Sequence, residues 1–286
     1  MHGCRRAGAS TLGALLTALV ALPAAAAEPR GEPICADRPG KATAVCTVPA
    51  GRLQLETGLA DWTLDRQSGD RESLLVIGET TLKYGLTDAS DFEVDVVPWQ
   101  RSKVRVNGAR ESDSGFGDVA LLYKQRLTSD GAPLQVALLP SVKFPTAKRS
   151  LGNGKVEVGF VVPVQYAIPR TSLGITLSPE LDWLADDDGS GHHLTMAQVA
   201  SLGWQVTDKV NVAAELWRQW NWDPDGTRKQ ASFDVMAAYL ARNDLQLDLG
   251  GHFGSTAARP MRSCTQASPK HSEEVVRPAS PKYTPE

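Results

Sequence analysis

Apolar side chains recur in this chain at every second position, in runs of ten to twelve residues, and that period excludes more folds than any other feature of the sequence. In 244–253, Leu245, Leu247 and Leu249 alternate with Gln246 and Asp248. In 133–144, Leu134, Val136, Leu138, Val142 and Phe144 alternate with Gln135, Ser141 and Lys143. The stretches 155–166 and 173–183 repeat the pattern, the first setting Val156, Val158 and Phe160 against Lys155 and Glu157, the second Leu177, Leu181 and Trp183 against Glu180 and Asp182. A period of two gives each strand one apolar and one wet face. Strands of soluble proteins usually hold five or six residues, whereas a tilted strand that crosses hydrocarbon needs about 9–11.

Eleven such runs are legible, at 52–63, 72–84, 91–101, 117–127, 133–144, 155–167, 172–184, 194–206, 210–222, 229–241 and 244–254. The connections alternate. Longer polar ones fall at 64–71, 102–116, 145–154, 185–193 and 223–228; tight ones with turn residues fall at 86–89, 129–131, 169–170, 207–209 and 242–243. Up-and-down membrane barrels have this asymmetry, with short periplasmic turns and longer outer loops. The fold expected is therefore all-β, an up-and-down antiparallel transmembrane β-barrel of about twelve strands, eleven of them legible over 52–256.

The N-terminus fits that compartment. Arg5 and Arg6 precede an apolar run from Leu12 to Leu22, and Ala25-Ala26-Ala27 follow, which predicts a signal peptide over 1–27 cleaved after Ala27. The run is too short to span a bilayer as a helix, and no later segment offers eighteen consecutive apolar residues. Residues 28–51 are expected as a periplasmic N-terminal segment. Export leaves Cys35, Cys46 and Cys264 in an oxidising space; the first two, eleven positions apart, either close a loop worth ~3 kcal/mol or stay as thiols. The net charge of −3 points to no nucleic acid.

On the parity opposite the apolar set sit Glu56, Glu79, Lys83, Glu93, Asp95, Asp118, Lys124, Arg126, Lys143, Glu157, Glu180, Asp182, Glu215, Asp234 and Asp248. In hydrocarbon these charges are expensive, so they face water or one another inside the cylinder. Glu56, Glu93, Asp95, Lys143, Glu157, Glu180, Glu215 and Asp248 are the candidate lumen residues, chosen by parity. Their acid excess favours cations or neutral solutes over anions; the competing reading is a salt-bridged network that fills the interior. The seven tryptophans lie toward strand ends, as an interface girdle requires, yet Trp217, Trp220 and Trp222 cannot all share a face.

Catalytic and metal constellations are weak. His192-His193 beside Asp186, Asp187 and Asp188 offers imidazole and carboxylate ligands, but adjacent strand residues point to opposite faces. No serine lies in a nucleophile-elbow motif, and Gly152-Asn153-Gly154 reads as a turn rather than a phosphate loop. We expect no catalytic residue, metal or cofactor. The function expected is a passive pore or transporter for small solutes in the bacterial outer membrane, its partners being membrane lipid, the solute and the barrel-assembly machinery. A barrel enzyme acting on lipid and a secreted ligand-binding β-sandwich are the alternatives.

Several ordered segments carry a resemblance. Ala36-Asp37-Arg38-Pro39, then Thr47-Val48-Pro49-Ala50-Gly51-Arg52-Leu53-Gln54-Leu55-Glu56-Thr57, open it. Gly117-Asp118-Val119, Leu139-Pro140-Ser141-Val142-Lys143-Phe144-Pro145-Thr146, Leu151-Gly152-Asn153-Gly154-Lys155-Val156-Glu157, Asp187-Asp188-Gly189-Ser190-Gly191 and Asn243-Asp244-Leu245-Gln246-Leu247-Asp248 follow in order. Over about 36–256 the chain resembles the barrels grouped as a putative MetA pathway of phenol degradation. The resemblance implies an outer-membrane barrel of about twelve strands, associated with uptake of aromatic or other hydrophobic compounds, and it transfers no catalytic residue.

The C-terminus departs from that pattern. Such families end on a strand with a terminal aromatic, but Pro260, Pro269, Pro278, Pro281 and Pro285 break any continuous ladder here. From the sequence no twelfth strand can be written, and eleven strands leave two open edges. Residues 257–286 are expected as a disordered tail that a frameshift has put in place of the closing strand, against the alternative of a natural extension. Translating the gene after codon 256 in the other two frames tests this: without an alternating strand ending in an aromatic, the frameshift reading fails.

Overall fold

The structure is a computed structural model, and it describes residues 34–67, 70–106, 109–254 and 262–264. The expected signal peptide and most of the expected tail lie outside these residues. Three of the legible runs are each split in two: Leu53–Gly58 (β1) continues as Asp61–Gln67 (β2), Asp70–Ile77 (β3) as Glu79–Thr87 (β4), and Ser90–Val96 (β5) as Trp99–Val106 (β6). A strand in the expected connection, Ala109–Gly115 (β7), precedes the next run, Val119–Arg126 (β8). Leu134–Phe144 (β9) is unbroken, and Pro163 divides the next run into Glu157–Val161 (β10) and Val164–Ala167 (β11). Long strands follow: Leu173–Ala185 (β12), His192–Thr207 (β13), Val210–Asp223 (β14), Gly226–Arg242 (β15) and Leu245–Gly254 (β16), then the three residues Arg262–Cys264 (β17).

All strand pairings are antiparallel, and together they make a ring. From β1 the order runs through β4, β5, β8, β9, the β10–β11 stave and β12 to β16. At the seam β17 pairs with β16 on one side and β2 on the other. This corrects the expectation that the tail supplies no twelfth strand: beyond Pro260, three residues close the ring. Among the described residues the seam has three paired positions, against fourteen between β14 and β15.

A second correction concerns the connections. The segments 64–71 and 102–116 are not loops; β2 and β3 pair as far as Gln67↔Asp70, and β6 and β7 as far as Val106↔Ala109. The strands β2, β3, β6 and β7 thus prolong the wall as a four-stranded extension at the end where 145–156 and 186–191 form true loops. The breaks beneath the extension lie at one level, where Gly78 N–H donates to Gly58 O at 2.9 Å and Gly117 N–H to Val97 O at 2.9 Å. Each break inserts residues and flips the parity, as bulges do. Thus β5 sends Asp91 and Glu93 inward, while β6 sends Gln100 and Ser102 inward.

The outward face carries the apolar set: Leu55, Leu82, Phe160, Leu181, Leu216 and Leu249 are all exposed. With no core to bury them against, such side chains belong against acyl chains. At the short-turn end Tyr84, Phe92 and Tyr123 are register neighbours. Trp62, Trp99, Trp183 and Trp222 mark the other end of the belt. Trp217 faces inward, where Lys41 Nζ lies 5.0 Å from its ring centroid, while Trp220 faces outward beneath the Arg218 guanidinium.

Candidate functional site

The inner face is charged, and the chain's own N-terminal segment fills much of it. A disulfide joins Cys35 and Cys46, with their Cα atoms 5.6 Å apart, so the paired alternative is the one the structure adopts. Where the sequence places 28–51 apart as a periplasmic segment, residues 35–48 hydrogen-bond to inward side chains of β1, β4, β5, β8, β12, β14, β15 and β16. Cys35 N–H donates to Gln54 Oε1 at 3.1 Å, and Gln54 Nε2 returns a bond to Cys35 O at 2.6 Å. Asp37 N–H donates to Glu56 Oε2 at 3.1 Å. Lys41 N–H donates to Glu215 Oε2 at 2.8 Å, Thr43 N–H to Ser178 Oγ at 3.1 Å, and Val48 N–H to Asp91 Oδ2 at 2.8 Å.

Glycine makes this approach possible at two points. A Cβ on Gly85 would meet the backbone oxygens of Pro49 and Val48 at 2.0 and 2.4 Å. One on Gly40 would meet Glu215 Oε1 at 2.5 Å. The segment therefore lies against the wall with no room for a side chain between them.

Ion pairs join plug and wall. Lys83 Nζ lies 2.5 Å from both Asp37 Oδ2 and Glu56 Oε1; Lys124 Nζ lies 3.0 Å from Asp37 and 3.2 Å from Glu93. Arg38 reaches Asp248 at 3.2 Å, and Lys41 reaches Asp234 at 2.8 Å. Lys83 and Lys124 are wholly buried. Such charges are tolerable in a closed interior only because each acid meets a cation or a backbone donor. Lys41 also donates to Ser232 Oγ at 2.7 Å, beside His252 and Asp234. That group resembles a nucleophile with a base, but Asp234 holds the amine as an ion pair, and all of it faces inward, away from lipid.

A second cluster lies toward the loop end. Lys143 pairs with Glu157 at 2.7 Å, and Glu157 also accepts from Ala185 N–H at 2.8 Å. The loop 145–156 bends in over it: Ala147 N–H donates to Asp118 Oδ1 at 2.9 Å, and Gln100 Nε2 donates to Leu151 O at 3.0 Å. Lys148 and Ser150 hold the loop to Asp113 on β7. Hydrogen bonds from Ser150 and from Ser114 N–H keep the Asp113 carboxyl below its ordinary value of 3.8.

All eight residues chosen by parity lie on the inner face. Glu56, Glu215 and Asp248 touch the N-terminal segment directly, and Glu93 joins it through Lys124. Lys143 and Glu157 form the second cluster, while Asp95 and Glu180 are half-buried between the two groups. Sequence reasoning missed Asp37, Arg38 and Lys41: the two cations offset the acid excess of the wall, and Asp37 pairs with its lysines Lys83 and Lys124. The signals for them were the cysteine pair and the inward Gly85. Parity also hid an apolar patch, Ala120, Leu122, Leu139 and Val161, which sits inward among the charges.

Asp186, His193 and Asp223 bring one potential ligand atom each to within 4.8 Å of one another. His193 Nδ1 lies 2.9 Å from Asp186 and 3.3 Å from Asp223, so the imidazole already bridges the two acids. As expected for neighbours on a strand, His192 points the other way and stacks on Trp183.

A closed antiparallel ring, apolar outside and charged within, defines a transmembrane β-barrel of the outer-membrane type. The chain belongs to the family described as Putative MetA-pathway of phenol degradation, which it matches over residues 36–262. Among solved structures it is similar to one described as "NanC porin structure in rhombohedral crystal form", at 12% identity and a TM-score of 0.45, covering 72% of this chain and 96% of that one. No curated protein matches the chain.

Proposed function

We propose that this barrel is an outer-membrane channel for passive uptake of small solutes, aromatic or hydrophobic ones among them, and that segment 34–49 closes it at rest. The observation that carries this reading is what fills the lumen. In narrow barrels wall side chains fill the interior by themselves; here a disulfide-closed loop enters and binds the wall through polar contacts that water is able to replace. The route is lined by Glu56, Glu93, Asp95, Lys143, Glu157, Glu180, Glu215 and Asp248, with the inward patch around Leu122 and Leu139 offering an aromatic ring an apolar surface. The family's description, which names phenol degradation, supports the same solute class. Diffusion down a gradient needs no cofactor, and insertion needs the barrel-assembly machinery.

The test is conductance in planar bilayers. The full mature chain should open rarely; a variant lacking 34–49 and still showing the heat-modifiable band of a folded barrel should conduct steadily. If that folded variant conducts no more than a bare bilayer, the channel reading fails.

A further inference from the structure

The extension built from β2, β3, β6 and β7 sorts its charges by face. Its outward face presents one arginine from each strand in a single row, in register: Arg66↔Arg71, Arg71↔Arg105 and Arg105↔Arg110. Lys103 stands below, between Ser73 and Ser112, and Arg101 below that, between Leu75 and Ser114. All six cations are exposed. The acids of the same strands, Asp61, Asp65, Asp70, Glu72, Glu111 and Asp113, alternate onto the inward parity. Among the described residues none of the six cations forms an ion pair; Arg101 has a hydrogen bond to Ser112 at 3.3 Å.

Like charges directly opposite one another on neighbouring strands destabilise a sheet. The fold gains nothing from four aligned arginines, so the row calls for anions from outside the chain. Its position says which. The face is the outer surface of the wall, so it looks sideways along the membrane and not down the pore. It continues upward from the apolar belt, whose edge here is Ile77↔Trp99. Arg101 lies two residues and Arg105 six residues beyond Trp99, ~7 and ~20 Å further along the strand. Strand tilt shortens that height to the depth of a headgroup layer. Trp62, Arg71, Lys103, Arg105, Arg110 and Ser112 also border a concavity of about 490 Å³, whose lining includes one acid, Glu111, against four cations.

We propose that this face binds the phosphate groups of the phosphorylated glycolipid, lipopolysaccharide, that forms the outer leaflet around the barrel. Five of the six cations are arginines, whose planar fork holds phosphate through paired hydrogen bonds. The serines between them add neutral donors. The proposal rests on the reading that this end of the barrel faces outward in the outer membrane.

Thermal unfolding of the full mature protein in neutral detergent tests it, with purified lipopolysaccharide, the same lipid stripped of its phosphates, and inorganic phosphate as probes. Lipopolysaccharide should raise the melting temperature of the wild type, and the other two probes should not. The triple variant R71S, R105S and R110S should melt no lower than wild type without lipid, because like-charge repulsion is relieved. It should bind lipopolysaccharide at least ~10-fold more weakly. Equal stabilisation by the dephosphorylated lipid, equal stabilisation by inorganic phosphate, or full binding by the triple variant each overturns the proposal. Insertion of the wild type into lipid vesicles is scored separately: a protein that inserts nowhere overturns the barrel's membrane placement, whereas one that inserts and binds without regard to phosphate overturns this proposal alone.

Discussion

At the scale of single residues, two positions decide whether the N-terminal segment stays seated. Gly85 faces inward where the backbone of Val48 and Pro49 passes, with no room for a methyl group. Gly85→Ala should therefore unseat this stretch while leaving the wall paired, and limited proteolysis near 48–52 should become faster; unchanged cleavage would show that the wall yields instead. Lys83 is the buried cation shared by Asp37 and Glu56. Lys83→Met keeps most of its volume but takes the cation from Glu56 and leaves Asp37 to Lys124 alone, a loss of ~3–5 kcal/mol for a broken buried pair. Denaturant unfolding in detergent measures it, and a change under ~1 kcal/mol would mean that water enters to replace the ammonium. Neither effect is visible in the sequence, because Asp37 and Lys83 meet only after the chain has circled back into its own lumen.

At the scale of elements, the loop 145–156 is held over the mouth at the loop end by Asp113, Lys148 and Ser150. The Asp113 carboxyl is depressed from 3.8 by hydrogen bonds that favour its ionised form. A group depressed in the folded state contributes fully above its unfolded value and loses that contribution as pH falls through the lower folded one. The loop should therefore stay docked at neutral pH and loosen only below the ordinary carboxylate range. Asp113→Asn should reproduce the loosened state at pH 7. Hydrogen exchange of 146–152 checks both, and protection unaffected by either change would assign the docking to Asp118 and Gln100 alone.

The element scale also shows what periodicity conveys. Runs such as 133–144 and 172–184 are legible because alternation is local: each side chain's face follows from its neighbour's. The splits at Gly78, Pro98 and Gly117 are less so, since each flips the parity and makes one long strand read as a strand and a loop. That is why 102–116, a paired hairpin in the structure, reads as a connection. Its polar composition reflects a wall that continues beyond the hydrocarbon, with lysine and arginine on the side where leucine would stand lower down.

At the scale of the whole molecule, the pairing of the described residues is shortest at the seam. Among them, three residues of β17 join β16 to β2, and β1 pairs only with β4. Unpaired backbone in a bilayer costs several kcal/mol per group, so partners added along the seam are expected to stabilise the cylinder. Replacing 257–286 with a ten-residue alternating strand that ends in an aromatic should supply partners along β16 and β1 together. The temperature at which the folded band unfolds on gels should then rise by several degrees. An unchanged temperature would show that the seam is already satisfied.

What the sequence determined by itself was the set of staves, the two faces of each and the charged parity, because these depend on neighbours one and two positions away. Register and closure were decided only by tertiary structure. Pairing is set between residues far apart in the chain, and a slip of one position would turn every side chain of a strand to the other face. From that register came the seat of residues 34–49 among inward acids, the inward apolar patch, and the alignment of four arginines from four strands into one row.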